Sequence, residues 1–395
     1  MSINKEYSLV NDLGFLKTGV SKFHNTKKYY ATGSIKGETF SPEGEYNYDN
    51  RPSRANRDVK EGDVLQARMM NTNKVILIDK KLDGSLFSTG FFQFRPPKEL
   101  VIPKFLYYFL SSKFFLDKKN SLCGGATQKA INDANLKKIK IFLPSLPEQQ
   151  RIVAKLDTVF AEIDKPIATT EKNTVNLKLA LGEIISKKIK EISLKAEMKN
   201  LGDIAEFKNG INFRKSLNGT PVKILGVGDF QSNFYAPCDC FETVLLDGDI
   251  RIDDEIMDGD IVFVRSNGNK ELIGRSMLVR NLQHKTTFSG FTIRARLNNK
   301  ELLPEFVTHI LKSENVRRQL IEGGNGLNIS SLNQNLLSVI EIPILDLREQ
   351  QDWVRIFEKI EDSRDNLKSI SFKKLQNLEA LKSAILTQEL QSGAA

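Results

Sequence analysis

Arg51, Arg54 and Arg57 recur at every third position of a polar segment, beside Asn50 and Asn56. A guanidinium offers parallel donors that pair bidentately with guanine, and an Asn or Gln amide does the same with adenine. Upstream, Lys27, Lys28 and Tyr30 interleave charge with aromatic rings, and lysines of this kind fix phosphates more often than they read bases. A second polar stretch carries Arg68, Asn71 and Lys74, and it is matched later by Arg265, Asn267 and Lys270. A third holds Gln128 and Lys129, matched by Asn328. Arg214, Lys215 and Arg275 complete the candidate set for nucleic-acid binding.

Catalytic constellations are harder to assemble. The Pro-Pro pair Arg95-Pro96-Pro97-Lys98 lacks the Asn or Asp and the aromatic residue that a loop for methylating an amine would need. Gly268 through Ser276 resembles a phosphate-cradling loop, but it is one residue too long and has Arg275 where Lys is required. Asp203, Glu206 and Lys208 mimic a nuclease carboxylate set but read as a surface strand at the start of a domain. The acidic run Asp247, Asp249, Asp253, Asp254, Glu255, Asp258 and Asp260 lacks the spacing and terminal Glu of a calcium loop. Three scattered histidines, His24, His284 and His309, build no catalytic triad, and with Cys238 and Cys240 they build no zinc site. No metal is expected, and the chain reads as a binder.

The net charge is +9, and it is unevenly spread. Residues 1–145 carry +10, residues 146–195 carry +2, residues 196–345 carry −2 and residues 346–395 carry −1. A basic first segment suits a polyanion; the later segment would have to rely on a local cluster such as Arg265, Lys270 and Arg275. The three cysteines, Cys123, Cys238 and Cys240, fit a reducing cytoplasm better than a disulfide framework. No long apolar run and no apolar N-terminal stretch predicts a membrane span or a signal peptide.

The elements that must position these residues occur twice. Leu146-Pro147-Glu148-Gln149-Gln150 returns as Leu347-Arg348-Glu349-Gln350-Gln351, 201 residues later. Gly62-Asp63-Val64 matches Gly259-Asp260-Ile261, and Ile102-Pro103 matches Leu303-Pro304 at the head of a helical pattern. A Gly-rich loop at Gly124-Gly125 matches one at Gly323-Gly324. Each mixed segment reads as α+β. Each is followed by a long helix with 3/4-spaced apolar positions. In the first these are Ile152, Leu156, Val159, Ile163, Leu177, Leu181 and Ile184. In the second they are Trp353, Phe357, Ile360, Leu367, Leu378, Leu381 and Ile385. This is coiled-coil spacing with polar interruptions. Pro166 is expected to kink or divide the first helix.

In this order of parts the chain resembles the specificity (S) subunits of type I restriction-modification systems. The resemblance rests on Pro144-Ser145-Leu146-Pro147-Glu148-Gln149, on the longer second copy Pro343 through Gln350, on the Gly-Asp-Ile/Val strands and on the Gly-Gly-x-Thr-Gln-Lys loop. It implies a pseudo-two-fold α+β molecule. Target-recognition domains at 1–145 and 196–345 would be separated by two long helices, 146–195 and 346–391, forming an antiparallel coiled coil. It further implies a cytoplasmic, non-catalytic subunit that binds double-stranded DNA at a split target. Two methyltransferase (M) subunits and restriction (R) subunits would join it, and S-adenosylmethionine and Mg-ATP would sit on those partners rather than on this chain. The alternative is a stand-alone DNA methyltransferase or nuclease whose site escapes these motifs.

Overall fold

The computed structural model describes residues 5–37, 39–125, 129–213, 215–231, 233–246, 248, 250–322 and 331–392. The chain divides into two compact units. One comprises Met1–Glu171 with Phe372–Ala395, and the other Lys172–Ser371.

The first unit opens with strand Lys5–Ser8, which pairs antiparallel with Lys140–Leu143, the strand just before the first long helix. Between them lie, among the described residues, a two-stranded ribbon of Ile35–Lys36 with Thr39–Phe40 and two larger sheets. One has the order Gly44–Tyr46, Lys27–Tyr30, Leu86–Ser88, Ala55–Asp58, and its central pair is parallel. The other has the order Phe91–Phe94, Val64–Ala67, Val75–Leu77. Two short helices follow, Pro103–Ser111 and Lys113–Ser121. Pro103 stands where a helix leaves its N–H unpaired in any case. Ser112 caps the second helix by accepting from the Phe115 amide.

The second unit repeats the plan. Glu197–Asn200 pairs with Glu341–Ile344. A four-stranded sheet runs Ala205–Asn209, Thr292–Leu297, Ile261–Val264, Ser276–Leu278. A three-stranded sheet runs Glu242–Leu246, Lys215–Leu225, Thr286–Phe288, again with one parallel pair. Helices Pro304–Lys312 and Glu314–Glu322 follow.

The duplicated motifs have a physical reason. Gly62 and Gly259 adopt φ of +87° and +92°, a region that costs a residue without a side chain little. They let the chain turn so that the next residue buries its carboxylate. Asp63 accepts from Arg95 Nε and Nη2 at 2.8 and 2.7 Å and from the Gln93 amide at 2.8 Å. Asp260 accepts from Arg296 Nε and Nη2, both at 2.7 Å. Bidentate pairing of this kind offsets the cost of burying a charge.

The repeated Glu-Gln signature has an equally local meaning. Gln149 and Gln350 are fully buried. The Gln149 carbonyl accepts from the Ile102 amide at 2.9 Å, and its amide donates to the carbonyls of Leu100 and Pro144. Gln350 does the same with the Leu303 amide at 2.8 Å and with the carbonyls of Glu301 and Leu345. Each glutamine ties the head of a long helix to the head of a Pro-led short helix.

The long helices span Leu146–Ser193 and Leu347–Ser392. Within each unit they contact each other in antiparallel fashion. In the first unit Lys155 pairs with Glu389 at 2.7 Å and Asp164 with Lys382 at 2.7 Å, so positions fall on one helix as they rise on the other. Ile152, Leu156 and Leu386 join the buried core of that unit. In the second unit Ile192 and Phe357 are buried with the domain core, with Ile185, Ile189 and Trp353 packed against it.

Pro166 does not divide the first helix, which runs through it. Glu162, whose carbonyl loses its usual amide partner, lies on an exposed side, where water can replace the lost bond. Val159, Leu177, Leu181, Ile360, Leu378 and Ile385 are half-buried, and Ile163 is buried. Ile184, Leu367 and Leu381 are instead exposed. A straight helix drifts by about 20° per heptad against a strict seven-residue stripe, and packing moves to the neighbouring Ile185 and Leu386.

Candidate nucleic-acid interface

In the first unit, strand Val64–Ala67 delivers the loop that holds Arg68, Asn71 and Lys74. Arg68 ion-pairs with Asp133 at 2.8 Å and lies over the Phe92 ring, 4.2 Å from its centroid. Asn71 has φ of +58° and is held by a reciprocal pair of hydrogen bonds with Asn120, each 2.9 Å. Lys74 donates to the carbonyls of Thr32 and Ile35, both at 2.6 Å, and burial lowers its pKa. Beneath this loop the fully buried Lys119 donates to Ala67 O and Thr72 O at 3.1 and 2.5 Å, and burial lowers its pKa to about 8. The loop is therefore stiff, and its arginine is already engaged.

The remaining candidates of this unit separate by burial. Tyr30 is buried and stacks on Phe87 at 5.1 Å. Arg57 is 1% exposed and donates to Leu16 O and to the Thr18 hydroxyl, each at 3.0 Å. Burial lowers its pKa to about 10. These two are structural residues, because reaching a ligand would mean leaving the core. In strand Ala55–Asp58 alternate residues face inward, which explains why a run of arginines at spacing three puts one of them inside. Arg51 lies over Tyr48 and donates to its carbonyl. Lys27 pairs with Asp58 at 2.6 Å. Lys28, Arg54 and Lys129 are exposed and, among the described residues, make no ion pair.

In the second unit the matching strand, Ile261–Val264, delivers the loop 265–275. Arg265 donates to Gly290 O at 3.2 Å, and the Asn267 side chain accepts from the Asn269 amide at 2.8 Å. The Arg265 carbonyl accepts from Leu332 as that of Arg68 accepts from Ile131. Lys270 is exposed. Arg275 donates to Gln231 O at 2.5 Å. Arg317, on the short helix Glu314–Glu322, donates to Ile273 O at 2.6 Å and Glu271 O at 3.0 Å. It supports this loop as Lys119 supports the loop of the first unit. The candidates Gln128, Arg214 and Asn328, with the side chain of Lys215, lie outside the described residues, as do Asp247 and Asp249.

Sequence reading missed Lys119, Lys312 and Arg317. The available signal was weak: cations near the apolar faces of short helices. The acidic run is spent on structure, with Asp254 paired to Lys208 at 3.0 Å, Glu255 to Lys285 at 2.9 Å and Asp258 accepting from the Asn281 and Leu282 amides. Among the described residues no group of three or more His, Cys, Asp or Glu side chains could hold a metal ion. The three cysteines are free thiols, and no described helix is long and apolar enough to cross a membrane.

Two α+β units, each built on a buried Asp paired with a half-exposed Arg and on the same glutamine clamp, and each presenting a loop of different length, define a class of internally duplicated proteins. The family model of the type I restriction modification DNA specificity domain matches the chain twice, over residues 12–176 and 194–379. The chain belongs to that family. It is similar to the type I restriction enzyme StySPI specificity subunit of Salmonella potsdam, at 26% identity over 74% of this chain and 65% of the relative. It is also similar to the EcoKI specificity subunit of Escherichia coli, at 27% identity over 67% of this chain and 60% of the relative. The chain thus matches under two thirds of the length of these curated relatives. Its fold matches, with a TM-score of 0.74 and 19% identity, a chain from a structure concerned with complex assembly and conformational transition of the type I R-M system; the match covers 99% of this chain and 98% of the other.

Proposed function

We propose that this chain is the sequence-specific DNA-binding specificity subunit of a type I restriction-modification complex. In this reading residues 1–145 and 196–345 are target-recognition domains, each reading one half of a bipartite double-stranded site. Residues 146–195 and 346–391 are the spacer helices that set the gap between half-sites and receive two methyltransferase subunits. Restriction subunits complete the assembly. S-adenosylmethionine and Mg-ATP belong to those partners, and the complex works in the cytoplasm.

One observation carries the reading: a single buried framework is built twice, while the loops it presents differ. Asp63 and Asp260, or Gln149 and Gln350, do the same work in both units. The loop after the strand runs over residues 68–74 in one unit and over the longer 265–275 in the other, and its lysine is tied down in the first, where Lys74 donates to Thr32 O and Ile35 O, but exposed in the second, at Lys270. Identical scaffolds with unlike loops suit two readings of one asymmetric ligand. Exposed Lys28, Arg54, Lys129 and Lys270 are the candidates for first contact with DNA, because no ion pair among the described residues has to be broken to use them.

The test is a methylation assay with the chain alone, a methyltransferase subunit alone, and both together. The expected result is site-specific adenine methylation only with both. Methylation by this chain alone would overturn the reading in favour of an enzyme.

A further inference from the structure

We infer that a small cavity in the second unit, bounded by Arg275, Lys312 and Arg317, seats one backbone phosphate of bound DNA. The inference rests on the DNA-binding reading above and adds a site to it.

The cavity measures about 210 Å3 and is lined by Phe230, Gln231, Arg275, Ser276, Lys312 and Arg317. Half of its lining residues are cations and none is an acid. The cations are aimed by backbone carbonyls rather than neutralised by carboxylates. Arg275 donates to Gln231 O, Lys312 to Asn233 O at 2.8 Å and Ser276 O at 3.0 Å, and Arg317 to Glu271 O and Ile273 O. Among the described residues none of the three makes an ion pair. Glu361, the carboxylate that acts on Lys312 from the second long helix, lies 3.6 Å from Arg364.

Like charges held together out of bulk water repel. Burial, with Arg275 adding to it, lowers the Arg317 pKa to about 10. Burial lowers Lys312 to about 8; Glu361 opposes this, and Arg317, Arg364 and Arg275 reinforce it. An anion in the cavity would relieve that repulsion. Ser276 also lines the cavity; it is 2% exposed, and its hydroxyl has no hydrogen-bond partner. Lys312 has one ammonium proton left after its two carbonyl bonds, and Arg275 spends Nη1 on Gln231 O, with the rest of its guanidinium donors in hand. Three cations around a small volume match a phosphate, whose oxygens accept several charge-assisted bonds.

Position selects the source of the phosphate. Arg275 ends the loop that Arg265 begins, and its carbonyl accepts from the Val264 amide at 2.9 Å. A phosphate held here would therefore lie beside the proposed base-reading loop, where backbone contacts fix register. The segment 196–345 carries a net charge of −2, so attraction of DNA to this unit has to come from such a local site.

The experiment uses the full chain and two variants, Arg275→Gln and Lys312→Met, with two probes. The first is a DNA duplex titrated across salt concentrations. Removing one phosphate contact should lower the slope of log K against log salt by about 0.9 and weaken binding to all sequences alike. The second is inorganic phosphate at constant ionic strength, which should raise the melting temperature of the parent chain and not of folded Arg275→Gln. If Arg275→Gln and Lys312→Met keep both the parent slope and the phosphate response, the cavity is not a phosphate seat, although DNA binding by all three would leave the broader reading standing. If phosphate stabilises the parent while no duplex is bound, the site takes a free anion and the DNA assignment falls.

Discussion

His309 packs between Phe234 and Phe357, with ring centroids 4.3 and 5.0 Å away, and its Nε2 has no hydrogen-bond partner. Burial, reinforced by Lys312, lowers its pKa from 6.5 to about 3. The folded state therefore holds it neutral while the unfolded state takes up a proton. Its contribution is fully present above pH 6.5 and is lost as pH falls from 6.5 towards 3, by about 1.4 kcal/mol per pH unit. Urea unfolding at pH 7 and pH 5 should show the second unit weakened at the lower pH, and His309→Phe should flatten that dependence. An unchanged pH profile in the variant would contradict this account. Gln350→Leu strips the Leu303 amide and two carbonyls of their partners; each orphaned group costs about 1–3 kcal/mol. A loss of at least about 2 kcal/mol is expected in urea titration, and a loss below 0.5 would deny Gln350 its clamping role. At this scale the sequence was legible in type but not in direction. Arg54 and Arg57 look equivalent as letters, yet Arg54 sits exposed in the turn before the strand while Arg57 falls on the strand's buried face. The glutamines stood out as a repeated signature, but only the hydrogen bonds show that they join two helix heads.

Among the elements, the long helices were the clearest in sequence, because a 3/4 apolar spacing, though interrupted midway, returns at both ends of a segment of more than thirty residues. The register was less legible, and Ile184, Leu367 and Leu381 fall on the exposed side through helical drift. Of the kink or division expected at Pro166, the division does not occur. The mixed segments were harder, since strands of three or four residues bounded by turns carry little periodicity. As spacers, the helices make a quantitative prediction. Deleting four residues between 152 and 184 shortens that helix by about 6 Å. The tolerated gap between half-sites should change, while the half-sites themselves stay the same. Methylation-site mapping checks this, and altered half-sites with an unchanged gap would refute the spacer role.

For the whole molecule, the duplication could be read from sequence and its consequence could not. The two halves echo in framework and differ in charge, +10 for residues 1–145 against −2 for residues 196–345. The core of the first unit takes in Leu386, with Ile385 and Leu390 packed against it, from the second long helix, as the antiparallel pairing of the two helices requires. The apolar stripes announce that the two helices pair, but no local pattern says which residues meet across more than two hundred positions. The basic first domain should dominate non-specific attraction, and duplex retention by the full chain should fall steeply between 50 and 200 mM salt. The central claim is that each domain reads its own half-site. It is tested most directly by replacing residues 1–145 with the equivalent domain of another specificity subunit, co-expressing the chimaera with a methyltransferase subunit, and sequencing the methylated sites. The account predicts a split motif in which one half changes and the other half and its methylated adenine are retained. A motif that changes in both halves, or one that is not split, would contradict it.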